Sequence, residues 1–492
     1  MSAARIAVIG GGVAGATAAL YLGRLGLDVT LFDKNSSLVS GPPFCHLHAG
    51  GNLYREISDE QCVTLLRQSV DLLRFYPYAV DFRPTVIAVP VTDKGTPEDL
   101  YPRLERLRGE YAALIDEDAR NKVLGESENY YRLYSREMIE RLRQLEPAAM
   151  PVTPDEWMIP VAHEMDLAKV KFPLIMVQEY GLNLFRLGAG VSLSLSALSN
   201  TEMRLETTVT DVSPAAGNGG FIVTYEDRNG TAQSSFDYMI NAAGFRSGAI
   251  DDMLGYRRER MVEFKAAYVT RWHSDTVWPE IIFYGERGTP GGMAQFTPYP
   301  GGHFQLHGMT NDITLFEGGL VGSTPDSAQP SLAPQFINMI DRSWEWSCVE
   351  KRSRRAIEHM AQYLPRFREA DVAAKPLYGA QQIPGEDPTL RAADVSFVGE
   401  RYARCEVVKA SSVLSMTDAI VQRLSALSNT EMRLETTVTD VSPAADVGRR
   451  DFEHLPHPEE SGLQDRAASL CEERQYPHEL SKRVVSHKAA LT

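Results

Sequence analysis

The amino terminus carries the feature that most constrains the fold of this chain. Arg5–Ile9 (RIAVI) is a short apolar run typical of a buried parallel strand, and it leads directly into Gly10-Gly11-Gly12-Val13-Ala14-Gly15. This run matches GxGxxG, in which the first glycine permits a tight turn, the second lets the backbone approach a pyrophosphate, and the third lets the next helix pack closely. The pattern predicts a strand–loop–helix unit that binds the phosphates of a nucleotide.

The residues after the glycines extend this prediction. Ala16–Leu25 is expected to be helical, Gly26 to end the helix, and Leu27–Phe32 to form a second strand. That strand ends at Asp33, where an acid that binds a ribose is expected. The predicted cofactor contacts here are therefore Gly10, Gly12, Val13, Ala14, Gly15, Asp33 and Lys34. The signature serves NAD and FAD alike, so the remainder of the chain must decide between them.

Charge and cysteine usage exclude several classes of function. A formal net charge of -15 over 492 residues argues against a nucleic-acid partner, because phosphate binding needs clustered basic residues. The five cysteines lack the spacing of a metal site or a disulfide framework, so we expect no metal and a reducing, cytoplasmic location. We expect no membrane span, because no long uncharged apolar run follows the glycine loop.

Three segments together resemble a known family. They are the N-terminal unit, Phe236–Ser247 (FDYMINAAGFRS) and Asp394–Ile420, which reads as a closing strand, loop and helix. The chain thereby resembles the D-amino-acid oxidase-like superfamily of FAD-dependent oxidoreductases. The resemblance implies FAD as the cofactor. It also implies an α/β fold: a Rossmann-type FAD-binding domain assembled from discontinuous segments, and an interleaved α+β substrate domain with an antiparallel sheet.

We expect three parts in the chain. Residues 1–80, 165–255 and 375–425 are predicted to form the FAD-binding domain, and residues 81–164 and 256–374 the substrate domain. Residues 426–492 are predicted to form a C-terminal appendage, which could bind a protein partner.

Further cofactor contacts follow from the resemblance. It implies that Ala243 and Gly244 pass close to the cofactor, that backbone near Val209 contacts the adenine, and that Gly399 lies near the flavin. Gly188 and Gly190 lack a third glycine, so no second nucleotide motif completes a nicotinamide domain. We therefore expect electrons to pass from the flavin to oxygen, a quinone or another protein.

Candidate catalytic residues lie in three places. The resemblance places the loop containing His46 and His48 along the flavin, where a histidine could exchange a proton or carry a covalent link; alternatively, both histidines hydrogen-bond the loop backbone. Alternation in HFQLH predicts that His303, Gln305 and His307 share one strand face, and His307 is a candidate for substrate binding or proton transfer, unless that face is exposed. Lys409 is a candidate for stabilising the reduced flavin, with a solvent-facing lysine as the alternative.

The substrate is left open by the sequence. Where related amino-acid oxidases place an arginine for the substrate carboxylate, this chain reads Gly379-Ala380-Gln381-Gln382, so Arg246 or Lys409 would have to supply the cation. The leading hypothesis is oxidation of a small amine or hydroxy compound by hydride transfer to FAD. The alternatives are a flavin monooxygenase or reductase acting on a larger or carrier-bound metabolite, and a flavoprotein that acts mainly through a protein partner.

An internal repeat is the most unusual feature of the sequence. Residues 195–216 (LSALSNTEMRLETTVTDVSPAA) recur without a change at 424–445. A recent duplication, a gene conversion and an assembly error would each produce this. Because both copies cannot fill one sheet position, we expect the second to differ in conformation and to extend the closing helix through Leu427.

Overall fold

The computed structural model describes residues 4–41, 47, 49–51, 57–217, 219–274, 276–428 and 455–485. Within these ranges the α-helices are α1 (Val13–Arg24), α2 (Asp59–Phe75), α3 (Tyr101–Glu117), α4 (Arg136–Leu142), α5 (Pro154–Glu164), α6 (Leu184–Ser196), α7 (Ser247–Met253), α8 (Pro334–Asp341), α9 (Trp346–Met360), α10 (Val413–Ser428) and α11 (Glu460–Glu473). Short 3-10 helices are Pro77–Ala79, Pro97–Leu100, Ala119–Leu124, Ser127–Asn129, Gly244–Arg246, Pro365–Glu369, Ala410–Ser412 and His478–Ser481.

In the described part of the chain the strands form four sheets. In chain order they are β1 (Arg5–Ile9), β2 (Asp28–Phe32), β3 (Val80–Asp81), β4 (Thr85–Pro90), β5 (Tyr131–Tyr134), β6 (Val170–Val177), β7 (Gly181–Leu182), β8 (Thr201–Arg204), β9 (Thr208–Pro214), β10 (Phe221–Asp227), β11 (Gly230–Phe236), β12 (Tyr238–Asn241), β13 (Arg260–Arg271), β14 (Glu280–Phe283), β15 (Ala294–Tyr299), β16 (His303–Gly308), β17 (Leu320–Gly322), β18 (Asp371–Val372), β19 (Leu377–Pro384), β20 (Val395–Val398) and β21 (Tyr402–Cys405).

The first sheet has six strands in the order β20-β21-β12-β1-β2-β8. All neighbours in it are parallel except the antiparallel edge pair β20–β21. The apolar run of β1 is central, with Val8 level with Leu31 of β2 and Ile240 of β12. Parallel strands end at the same edge, so the glycine loop, Asp33 and the turn after Asn241 lie together at the carboxyl edge of this sheet.

A ten-stranded sheet forms the second layer. Its main path is β17-β13-β16-β15-β14-β4-β6-β5, with β18 and β19 also paired to β13, and its strands are antiparallel except for β4–β14. The predicted Rossmann-type α/β fold with a separate antiparallel sheet is confirmed. A meander of β9, β10 and β11 and the β3–β7 pair complete the sheets.

Sheet membership corrects the predicted domain boundaries at two places. The strands β6 and β19 lie inside the ranges 165–255 and 375–425 expected for the FAD-binding domain, yet both belong to the ten-stranded sheet. The reason is physical: an apolar alternating run predicts a strand but does not specify which neighbours it pairs with.

The C-terminal residues pack against the nucleotide-binding layer. Leu463, Ala467 and Leu470 of α11 are buried in the apolar cluster that contains Ile6 and Val8 of β1. The segment therefore completes the core, whereas partner binding through it remains a prediction. None of the helices in the described ranges is long and apolar enough to cross a membrane.

The two copies of the repeat begin differently, as predicted. In the first copy α6 ends at Ser196 and the chain continues into β8 and β9, whereas in the second copy α10 continues to Ser428. Residues 429–445 of the second copy lie outside the described residues.

Candidate active site

The glycine loop shows two kinds of requirement for glycine. Gly10 has φ +104°, and a Cβ atom there would collide with the carbonyl oxygen of Ala242. A Cβ atom on Gly15 would collide with the carbonyl oxygen of Gly10. At Gly12, the N-cap of α1, a Cβ atom would meet no described atom within 4 Å. Positions 10 and 15 thus need glycine for the packing of the protein itself, whereas position 12 leaves open space at the amino end of a helix.

Asp33 is fixed beside this loop. One carboxylate oxygen accepts a hydrogen bond from the backbone N–H of Gly11 at 2.5 Å, and the other accepts from Asn35 N–H at 2.7 Å. Burial raises the pKa of Asp33, and the two backbone hydrogen bonds oppose that rise. The side chain is held at the carboxyl end of β2, as a ribose ligand would have to be.

The segment that follows is clamped from the C-terminal side. The Arg474 guanidinium donates hydrogen bonds to the carbonyl oxygens of Leu38 (2.6 Å) and Val39 (3.1 Å) and to the hydroxyl of Ser37 (2.9 Å). Val39 has φ +58°, a strained value for a β-branched residue. Its backbone N–H donates a hydrogen bond to the carbonyl oxygen of Gly11 at 2.8 Å. Arg474 therefore stabilises the strained segment that covers Gly11.

Val209, Ala243, Gly244 and Lys34 also lie at this edge. Val209 and Ala243 both pack on the apolar cluster of Ile9 and Phe32. Gly244 has φ +59°, and a Cβ atom there would meet no described atom within 4 Å. The ammonium of Lys34 forms an ion pair with Asp341 at 2.6 Å, and Arg246 reaches the other oxygen of the same carboxylate at 2.5 Å.

The loop between β21 and α10 forms the other end of the site. It leaves the carboxyl edge of the six-stranded sheet. Lys409 is the residue before the 3-10 helix Ala410–Ser412, which leads into α10. The hydroxyl of Ser411 is buried and has no hydrogen-bond partner among the described residues. A buried hydroxyl without a partner is costly, so this atom is positioned for a group that the protein itself does not supply.

One face of the ten-stranded sheet is directed at the first sheet. On this face Val269, Ile282 and Tyr299 share an apolar cluster with Ile6 and Val8 of β1. By alternation, His303, Gln305 and His307 of β16 lie on this same face, while Phe304 and Leu306 pack into the cluster on the opposite side. The predicted common face of the three polar residues is thus internal, with Gln305 only 1% exposed.

Lys265 of β13 lies on this internal face as well. Its ammonium forms an ion pair with Glu263 at 2.8 Å and donates to the side-chain oxygen of Gln381 at 3.0 Å. Gln381 in turn donates to the carbonyl oxygen of Val408, which precedes Lys409 by one residue. Continuing the register that pairs Tyr268 with Leu306 brings His307 level with Ala267, diagonal to Lys265.

Two cations share the carboxylate of Glu263 in the cluster around Lys265. Arg287 forms a second ion pair with Glu263, and the charge of Arg391 acts on Lys265. Burial lowers the pKa of Lys265 to about 8, Glu263 opposes this effect, and Arg391 and Arg287 add to it. Burial alone would raise the pKa of Glu263, but Lys265 and Arg287 outweigh it and lower that pKa. Lys265 and Arg287 therefore share the carboxylate of Glu263 close to the Lys409 loop.

A family model matches this chain over its N-terminal third. Residues 5–165 match the model described as DAO, FAD dependent oxidoreductase. Over these residues the chain is similar to the D-amino-acid oxidase-like superfamily. This flavoenzyme is an FAD-dependent oxidoreductase, and its cofactor is FAD. Its matched region includes the glycine loop, Asp33 and β4.

Solved structures with a similar fold include three enzymes. Glycine oxidase from Geobacillus kaustophilus is 14% identical with a TM-score of 0.54, and the match covers 88% of this chain and 97% of that chain. L-amino acid deaminase from Proteus vulgaris is 15% identical with a TM-score of 0.53, and the match covers 85% of this chain and 92% of that chain. Glycerol-3-phosphate dehydrogenase from Bacillus halodurans, complexed with FAD, is 14% identical with a TM-score of 0.51, and the match covers 88% of this chain and 67% of that chain. At these identities the likeness shows the fold. No curated protein sequence matches the chain.

The residues of the flavoenzyme fit FAD at both ends of the site. Gly12 leaves open space beside the amino end of α1, where a pyrophosphate binds favourably. The unpartnered hydroxyl of Ser411 offers a polar contact at the other end. The fit rests on the open space at Gly12 and on the hydroxyl of Ser411, which has no hydrogen-bond partner among the described residues.

The structure does not bring every predicted contact of the flavoenzyme together. Gly399 lies in the turn between β20 and β21, at the amino edge of the sheet, whereas Gly10–Gly15 lie at the carboxyl edge. The expected flavin contact at Gly399 is therefore corrected, because the turn precedes β21 and the cofactor edge follows it. Arg246 is paired with Asp341 beside Lys34 and not with the internal sheet face. His46 and His48 lie outside the described residues.

Sequence reasoning missed several residues of this site. Lys265, Glu263, Arg391, Ser411 and Arg474 come together with the cofactor edge only through tertiary packing. One signal was available: Glu263 and Lys265 alternate with apolar residues inside the strand MVEFKAAYV, and charges on an otherwise apolar strand need a partner when buried.

Proposed function

We propose that this flavoenzyme oxidises a small substrate that carries a carboxylate or another anionic group, at a carbon–nitrogen or carbon–oxygen bond, by hydride transfer to FAD. One observation carries the proposal: the buried Lys265, which shares the carboxylate of Glu263 with Arg287, lies on the internal sheet face and is joined through Gln381 to the Lys409 loop. A buried ammonium that shares its carboxylate with a second cation is stabilised when an anion binds beside it.

The residues of the chain have separate roles in this proposal. The backbone of Gly10, Gly12, Val13, Ala14 and Gly15 holds the pyrophosphate, Asp33 the ribose, and Val209, Ala243 and Gly244 flank the adenosine half. Lys34 stays paired with Asp341 at the margin of that half. Ser411 and Lys409 bind the flavin end, and Lys409 places a positive charge where the reduced cofactor gains negative charge.

The substrate is oriented between the sheet and this loop. FAD, when bound, supplies an acceptor for a hydride from the substrate carbon. Lys265 holds the anionic group, which fixes the distance and direction of the reacting carbon. His307, diagonal to Lys265 on the same face, takes the proton that leaves the substrate nitrogen or oxygen.

Comparison of acids with their amides tests the proposal. FAD-loaded protein is mixed anaerobically with pairs of small amino, imino and hydroxy acids and the corresponding amides, and bleaching of the flavin absorbance is followed. We expect at least one acid to bleach the flavin and its amide to do so with a much higher KM. Equal KM values for a bleaching acid and its amide contradict the assignment of the anion site.

A matched pair of lysine variants locates the effect. Lys265→Met removes the buried cation and keeps an unbranched apolar stem, whereas Lys94→Met changes a surface lysine paired with Glu286. The loss of a charge-assisted hydrogen bond of about 1.5–3 kcal/mol predicts roughly a 10- to 150-fold increase in KM for the acid in Lys265→Met. Lys94→Met is expected to behave like the parent protein. Equal KM values in the two variants would contradict the role of Lys265.

A further inference from the structure

A cavity of about 500 Å³ is lined by residues outside the Lys265 cluster. It lies between the segment joining α8 to α9, the segment before β19 and the turn after α11. Its walls include four aromatic side chains and two basic ones, namely Trp344, Trp346, Tyr378, Tyr476, Arg342 and Lys375. None of its lining residues belongs to the glycine loop, the Lys409 loop or the Lys265 cluster.

The two basic side chains of the cavity have no ion-pair partner among the described residues. Neither Arg342 nor Lys375 has an ion-pair partner in the described ranges of the chain, whereas the neighbouring Asp341 is shared by Lys34 and Arg246. The ammonium of Lys375 lies 5.3 Å from the ring centroid of Tyr476, and burial lowers its pKa. Both cations line the same cavity, and an anion bound there would be stabilised most by the partly buried Lys375, with the exposed Arg342 within the same lining.

The aromatic wall adds a second requirement. The indole N–H of Trp344 is buried and has no acceptor among the described residues, although its ring packs against Phe264 and Tyr378. Trp346 lines the cavity and is 54% exposed. The hydroxyl of Tyr476 donates a hydrogen bond to the carbonyl oxygen of Pro376. The cavity thus combines flat apolar surfaces, an unused N–H donor and two unpaired cations.

We propose that this cavity is a second ligand site, which binds a planar aromatic carboxylate. The rings of the ligand stack on the tryptophan and tyrosine side chains, and its carboxylate accepts hydrogen bonds from Lys375 and Arg342. Its volume lies within the range of about 300–1,000 Å³ typical of small-molecule sites. The assignment is independent of the reaction at the flavin.

Calorimetry on the FAD-loaded full chain tests this site with three probes. Naphthalene-2-carboxylate has both features, naphthalene-2-carboxamide lacks the charge, and cyclohexanecarboxylate lacks the aromatic rings. We expect the aromatic acid to bind once per chain and each of the other two at least about tenfold more weakly, as the loss of one charge-assisted hydrogen bond or of ring stacking implies. Equal affinity for the aromatic acid and its amide overturns the proposal, as does the absence of binding.

Variants show whether the probe occupies this cavity. Lys375→Gln is expected to weaken binding of the aromatic acid at least about tenfold. Trp344→Phe keeps a ring but removes the N–H, and it is expected to weaken the same binding several-fold. Lys351→Gln, on the exposed face of α9, is the control and should leave the affinity unchanged. Retained flavin content and circular dichroism establish that each variant is folded. If Lys265→Met abolishes binding and Lys375→Gln does not, the probe sits at the flavin and the second site is refuted.

Discussion

Replacing Gly12 by alanine separates cofactor binding from protein stability. The structure leaves a Cβ atom at this position without any described neighbour within 4 Å, and its φ of -63° and ψ of -179° suit alanine. Alanine is slightly worse than glycine as an N-cap, but it also restricts the unfolded chain, and these effects of about 0.5–1 kcal/mol offset each other. We therefore expect the unfolding free energy of the FAD-free protein to change by less than about 1 kcal/mol.

FAD binding should respond much more strongly than stability. A methyl group in the space for the pyrophosphate acts as overpacking, which costs about 1–3 kcal/mol. This corresponds to a Kd for FAD that is roughly 5- to 150-fold higher. The Kd is measured by titrating the FAD-free protein and following flavin fluorescence, and stability by denaturant unfolding of the same preparation.

Two other glycines provide the comparison. Gly15→Ala would collide with Gly10 and should destabilise the protein with or without FAD, whereas Gly109→Ala, on α3, has free space and should stabilise the helix by about 1 kcal/mol without altering FAD affinity. An unchanged Kd in Gly12→Ala would refute the placement of the pyrophosphate.

Three further variants test other parts of the account. Because the pKa of Lys265 is lowered to about 8, its charge is present below that pH, so KM for an anionic substrate should stay constant below pH 8 and rise above it; Lys265→Arg should remove the rise in a pH profile of KM. Arg474→Ala should raise the Kd for FAD by roughly tenfold through loss of the hydrogen bonds to the segment over Gly11, while Arg466→Ala, a surface change on α11, should not, as fluorescence titration will show. Asp251→Asn leaves two buried arginines, Arg260 and Arg404, without a carboxylate, so denaturant unfolding should show a loss of about 3–5 kcal/mol.

The nucleotide-binding unit could be predicted because its signals are local. The apolar run of β1, the glycine spacing and the acid after β2 each follow from a few adjacent residues, and the structure places them at one sheet edge. The segment around Asn241, the strand alternation of His303, Gln305 and His307, and the extension of α10 in the second repeat copy were predictable for the same reason.

The remainder depends on contacts between distant segments. Lys265 and Gln381 meet because β19 pairs with β13, and Arg474 reaches Val39 because α11 packs on α6. The resemblance implies a flavin contact at Gly399, but the strand β21 separates this glycine from the carboxyl edge of the sheet. Strand pairing and the direction of a hairpin are set by the whole sheet, and no local pattern contains them.

A crystal structure of the FAD-loaded protein is the most direct test of the central claim. We predict the pyrophosphate beside Gly12 at the amino end of α1, the ribose at Asp33 and the flavin ring between the Lys409 loop and the internal sheet face of His307 and Lys265. A flavin ring bound on the Gly399 side of the six-stranded sheet, or a ring out of reach of Lys265, would contradict the account.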